Sequence, residues 1–96
     1  MKRYHIEFGK HRTTVSVDPY LADMLSIFLD REPGSPQATR AVRDWLQARL
    51  PHRVGEGRGF GKRASLYARR LMVEAIADKE ISDRYDDWVI ANSDRG

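Results

Sequence analysis

Near the N-terminus, polar and apolar residues alternate strictly over two short runs. In RYHIEF, Tyr4, Ile6 and Phe8 alternate with Arg3, His5 and Glu7; in HRTTVSV, Thr13, Val15 and Val17 alternate with Arg12, Thr14 and Ser16. A period of two is that of a half-buried strand. Gly9-Lys10 between the runs suits a two-residue type II′ turn, with glycine at the first central position. That turn sets Glu7 opposite Arg12 and Ile6 opposite Thr13, with every apolar position on one face. A strand needs a partner for its backbone groups. HRTTVSV therefore pairs either with the N-terminal run or with the same strand of a second chain, and the pattern leaves both open.

Beyond Val17 the period changes. Asp18 and Pro19 have the character of an N-cap and a first helical residue. Leu21, Met24, Leu25 and Phe28 then recur at i, i+3, i+4 and i+7, predicting a helix through about Arg31. Ile27 and Leu29 widen its apolar surface beyond one stripe, which asks for two neighbours and points to a dimer. REPGSPQ ends it: Glu32 precedes Pro33, Gly34 allows a turn, Ser35 caps, and Pro36 opens the next helix. That second helix, Pro36 to about Leu50, turns Ala38, Ala41, Val42, Trp45 and Leu46 inward and Arg40, Arg43 and Arg49 elsewhere. Pro51 stops it. PHRVGEGRGFGKR, with glycine at 55, 57, 59 and 61, reads as a mobile basic loop. A third helix, about Ala64 to Lys79, buries Ala68, Leu71, Met72, Ala75 and Ile76. A last helical turn or two from Ser82 presents Ile81, Tyr85 and Trp88 on one side. The fold class expected is α+β and mostly helical.

Ninety-six residues make one domain. A chain of this size hides only about 60–70% of its unfolded surface and gains stability by dimerising. Hydrophobic residues at 41% with charged residues at 32% belong to a globular protein. The absence of cysteine excludes disulfide scaffolds, thiolate metal sites and thiol catalysis. The N-terminus lacks the apolar core of a signal peptide, and the longest charge-free run is seven mostly polar residues, so a cytoplasmic protein without a membrane span is expected. The net charge of +3 is unevenly spread. Residues 1–17 carry four basic and one acidic residue, and residues 35–70 carry nine basic and two acidic. Residues 18–34 and 71–96 are net negative. Such segregation suits one face to a polyanion.

Little else in the chain suggests chemistry. GEGRGFG fits neither the dinucleotide fingerprint nor a P-loop, and no strand precedes it; Arg58, Lys62 and Arg63 around it attract phosphate without cradling a nucleotide. His5, His11 and His52 have no metal-ligand spacing, so no metal or other cofactor is expected. Glu80, Asp83, Asp86 and Asp87 fall where the first turn of a helix favours negative charge. Ser16, Ser35, Ser65 and Ser82 have no histidine placed nearby as a base. An enzyme is not expected.

Major-groove edges are read by an α-helix or by a two-stranded β-ribbon. A ribbon reader needs short polar side chains and a donor fork on one face, which Arg12, Thr14 and Ser16 supply, and β-branched residues gripping helices on the other. The order strand, Asp-Pro, helix, Gly-Ser, helix in RTTVSVDPYLADML…PGSPQATRAVRDWLQ, about residues 11–50, resembles the ribbon-helix-helix family of DNA-binding proteins, the Arc and MetJ type of repressors and antitoxins. The resemblance implies a homodimer whose strands form an antiparallel ribbon in the major groove of double-stranded DNA, with the two helices interlocked as the dimer core. It makes Arg12, Thr14 and Ser16 the base-reading residues and sets Gly34, Ser35 and Gln37 against a phosphate. Arg58, Lys62 and Arg63 are further phosphate contacts. Residues 1–51 then form the ribbon-helix-helix domain with its N-terminal strand, 52–63 a linker, and 64–96 a helical extension for oligomerisation or a protein partner. The expected function is sequence-specific DNA binding, as a transcriptional repressor or antitoxin. The alternative is a dimeric protein-interaction adaptor of the same fold that does not bind DNA. Two features depart from the pattern. Pro36 has no N–H to offer a phosphate, and a hairpin over residues 3–17 would widen a dimer's ribbon to four strands in a groove about 12 Å wide.

Overall fold

The computed structural model describes residues 1–52, 60–77 and 79–93, with the backbone alone at 60–62 and 79. Strands β1 (Lys2–Phe8) and β2 (His11–Val17) lead into helices α1 (Pro19–Phe28) and α2 (Pro36–Arg49). A single 3-10 turn (Leu50–His52) follows, then α3 (Phe60–Ile76) and α4 (Lys79–Ser93). The protein is thus α+β and mostly helical, a two-stranded antiparallel sheet followed by four helices.

The two alternating runs find each other. β1 and β2 pair with Glu7 opposite Arg12, Ile6 opposite Thr13 and Tyr4 opposite Val15. Gly9 sits at φ +60° and Lys10 keeps a negative φ, the signature of the type II′ turn. Tyr4, Ile6, Phe8, Val15 and Val17 are buried on one face, while Arg3, His5, Glu7, Arg12 and Thr14 are exposed on the other.

Both outer edges of this hairpin are engaged by helices. On the β1 side the Gln47 side chain of α2 makes a two-point clamp: the Glu7 N–H donates to Oε1 at 2.9 Å, and Nε2 donates to the Glu7 carbonyl at 2.8 Å. On the β2 side the Ser16 N–H donates to Ser65 Oγ of α3 at 3.2 Å. Exposed edges are templates for further strands, and covering them prevents that. A second β2 strand running along this edge would have to displace Ser65 and α3. The partner of β2 is β1 of the same chain.

α1 starts as expected, with Pro19 at its first position and the Asp18 carboxylate accepting from the Tyr20 N–H at 2.9 Å. It ends at Phe28, three residues short of Arg31, because Asp30 adopts φ 57° and closes a Schellman turn. The Arg31 N–H donates to the Ser26 carbonyl at 2.8 Å and the Asp30 N–H to that of Ile27 at 3.0 Å. Aspartate enters the left-handed region more readily than most residues. Here it is held from α4, where Arg84 Nη2 donates to Asp30 Oδ1 at 2.6 Å and to the Ile27 carbonyl at 2.9 Å. Ile27, which widened the apolar surface, is buried, whereas Phe28 of the expected stripe is 39% exposed. The wide apolar face of α1 is covered by α2, α3 and α4 of its own chain.

α3 begins at Phe60, four residues before the expected Ala64 and inside the stretch read as linker. α4 is a full 15-residue helix rather than a turn or two. It docks through Ile81, which is buried, and Tyr85, whose ring meets Tyr20 edge-on at 5.0 Å. Hairpin and helices share one hydrophobic cluster running from Tyr4 to Ile81.

Within that cluster Tyr4 gives the fold a marked alkaline limit. Burial, with the Asp23 charge adding to it, pushes the Tyr4 hydroxyl up to about 12. In the unfolded chain a tyrosine ionises near pH 10. The stabilisation held by the neutral phenol is therefore complete below pH 10 and is lost as pH rises through 12. Two pH units correspond to about 2–3 kcal/mol. Urea unfolding of the wild type and of Tyr4→Phe between these limits should show the wild type losing that much more stability. Parallel curves would mean that the hydroxyl is solvated.

Candidate nucleic-acid interface

The outward face of the hairpin is a small polar platform. Its cross-strand pairs are Arg3 with Ser16, His5 with Thr14, and Glu7 with Arg12. Neighbouring strands lie about 4.8 Å apart, so the six side chains form two close rows. Lys10 extends the platform at the exposed tip. Glu7 is the one carboxylate among these seven residues. Thr14 Oγ1 lies 3.2 Å from His5 Nδ1, which fixes the hydroxyl against its cross-strand neighbour. Arg12 is exposed at the tip end. Ser16 is half-buried at the other end, where α3 closes over β2 and where Met1, Ser65, Leu66 and Arg69 line a shallow hollow with it. The three residues expected to read bases thus share one face, with Arg12 and Thr14 open and Ser16 partly withdrawn.

The phosphate contacts expected at the start of α2 do not join them. Gly34, at φ +84°, turns the chain into α2. The Ser35 N–H donates to the Glu32 carbonyl at 3.1 Å, Pro36 has no N–H, and the Ala38 N–H donates to Ser35 Oγ at 3.0 Å. Among the described hydrogen bonds this leaves only the Gln37 N–H to greet an anion at the helix start. Asp30, Glu32 and Asp87 line the hollow beside this turn together with Arg31 and Arg84, so it offers a phosphate no surplus of positive charge. Gln37 also lies ten residues before Gln47, about 15 Å along α2 from the hairpin clamp. Arg63 is half-buried in the first turn of α3, two residues before Ser65. Arg58 lies outside the described residues, as does the Lys62 side chain.

Besides Glu7 and Lys10, the platform gains Arg3 and His5 of β1, which were absent from the sequence expectation. Their parity in RYHIEF already set them against Tyr4, Ile6 and Phe8, but they join Arg12 and Thr14 only once β1 is the partner of β2. His5 and His11 lie on opposite faces of the hairpin, and among the described residues no three His, Asp or Glu side chains gather as a metal site. Among the described residues no helix is long and apolar enough to cross a membrane. The chain matches no protein-family model, no curated protein and no solved structure.

Proposed function

We propose that the protein binds duplex DNA with the outward face of the β1–β2 hairpin, as a two-stranded ribbon supplied by a single chain. One observation carries this reading. The hairpin is covered by the core on one face and by helices at its edges, while its free face is polar, mainly basic and two strands wide. A major groove about 12 Å wide admits a two-stranded ribbon. Because both strands come from one chain and Gln47 and Ser65 engage the edges, the ribbon does not grow to four. Arg12 offers a two-pronged donor to a guanine edge, Thr14 and His5 make adaptable contacts, and Arg3 and Lys10 meet phosphates. A repressor or antitoxin role is the regulatory setting that such occupancy of a specific site would serve.

A target selected from random duplexes with the purified protein supplies the assay. Arg12→Ala should cost roughly 1–3 kcal/mol on that target and relax discrimination at one base position. Lys10→Ala should weaken all sequences alike and reduce the salt slope by about one. If no sequence is enriched, or Arg12→Ala binds like the wild type, the hairpin does not read DNA. The second reading, a protein-interaction adaptor, then takes its place. It is favoured by the apolar residues Leu66 and Val73, 46% and 44% exposed on the outer side of α3.

A further inference from the structure

We infer that the outer face of α3 is a docking surface for the outer face of α4 in a second copy of this chain. Around α3 the buried positions Ala64, Ala68, Leu71, Met72 and Ile76 define the inner side. At 100° per residue, Leu66, Arg69, Arg70 and Val73 fall opposite it. Both arginines are exposed, and the Arg70 guanidinium lies 5.6 Å from the Tyr67 ring centre, which holds it on this surface. The result is an apolar pair two turns apart with cations between them. Glu74 is the one carboxylate at its border.

On α4 the inner side is Ile81, Tyr85 and Trp88. Asp83, Asp86, Asp87 and Ile90 lie opposite, all exposed, Ile90 by 63%. This face has the same plan with the charge inverted: an exposed aliphatic residue beside three carboxylates. With the helices parallel, Val73 meets Ile90; with them antiparallel, Leu66 does. In either case Arg69 and Arg70 fall opposite Asp86 and Asp87.

The two faces cannot satisfy each other within one chain, because α3 and α4 both turn their inner sides toward α1. Their complementarity needs a second molecule, and another copy of the chain carries both halves. Opposite charge across such a contact sets register and penalises wrong partners, while the aliphatic residues lose water. The hairpin edges take no part, although Leu66 and Arg69 also border the hollow at Ser16, so the association is tested in the absence of DNA.

Sedimentation equilibrium of the full chain tests it by charge exchange. The wild type should show a concentration-dependent mass above 11.1 kDa, weakened by added salt. Arg69→Glu with Arg70→Glu, and separately Asp86→Lys with Asp87→Lys, should each weaken self-association more than about tenfold, because like charges then face each other. Circular dichroism should show both variants folded, since all four side chains are exposed. Mixing the two variants in equal amounts should restore the wild-type mass, because each α3 then meets an oppositely charged α4. A wild type that stays monomeric to hundreds of micromolar overturns the inference. So does a variant that associates like the wild type, or a mixture that does not recover.

Discussion

Val15→Asp should leave the chain without a cooperative folded state. Val15 is fully buried, paired across the hairpin with Tyr4 and within the cluster that joins the sheet to the helices. A carboxylate placed there has no cation to meet, and burying an unpaired charge costs several kcal/mol even after it protonates or draws in water. Loss of the valine side chain from the core removes roughly another 1.5–3 kcal/mol. A domain of this size holds about 5–15 kcal/mol in all. Thermal melts followed by circular dichroism should therefore show no transition. Thr14→Asp, one residue away on the exposed face, should stay within about 1 kcal/mol of the wild type. The two variants together test register, because a slip of one residue would exchange their fates. A stable Val15→Asp beside an unfolded Thr14→Asp would mean that the hairpin presents its other face.

A chain ending at His52 should also fail to fold. It retains the hairpin, α1 and α2, the whole of the stretch that resembles a ribbon-helix-helix unit. It loses the α3 side chains of Ala64, Ala68, Leu71, Met72 and Ile76, which pack against β2 and α1 in the common cluster. It also loses the Ser65 acceptor of the Ser16 N–H and the Arg84 brace on the end of α1. A fragment of about 50 residues buries at most roughly 60% of its surface and has little stability to spare. The expected spectrum is that of a mostly unstructured peptide at micromolar concentration. A sharp, reversible melt from this fragment would mean that the N-terminal half is an independent unit and the C-terminal helices an appendage.

The hairpin was legible because alternation and the Gly9-Lys10 turn agree on one register, and a buried face punishes any other. Both helix starts were legible because Asp18-Pro19 and Ser35-Pro36 join a capping side chain to a residue with preset φ. The end of α1 was not, because the left-handed residue is Asp30 rather than a glycine, and Arg84, 54 positions away, holds it. Glycines at 59 and 61 hid the start of α3. Asp83, Asp86 and Asp87 read as capping charge and hid the length of α4.

The site divides in the same way. Strand parity alone gives the outward set that includes Arg12 and Thr14. The clamp from Gln47 and the approach of Ser65 link residues 40 and 49 positions apart, which no local pattern encodes. Those contacts decide that β2 has its partner within the chain. The start of α2 offered the right residue types for a phosphate, but the Ser35 side chain takes up the Ala38 N–H, and the hollow beside the turn sets three carboxylates against only two arginines.

The most direct measurement is the affinity of the full chain for a labelled duplex as salt is raised from about 50 to 200 mM. Two phosphate-reaching cations on the hairpin face, Arg3 and Lys10, predict that log affinity falls linearly with log salt with a slope of about −1.8. Replacing these two together with the base reader Arg12 by glutamine should abolish binding while the circular dichroism spectrum stays that of the wild type. A protein that binds no duplex at about 50 mM salt, or a triple variant that binds as well as the wild type, would contradict the assignment of this face to DNA.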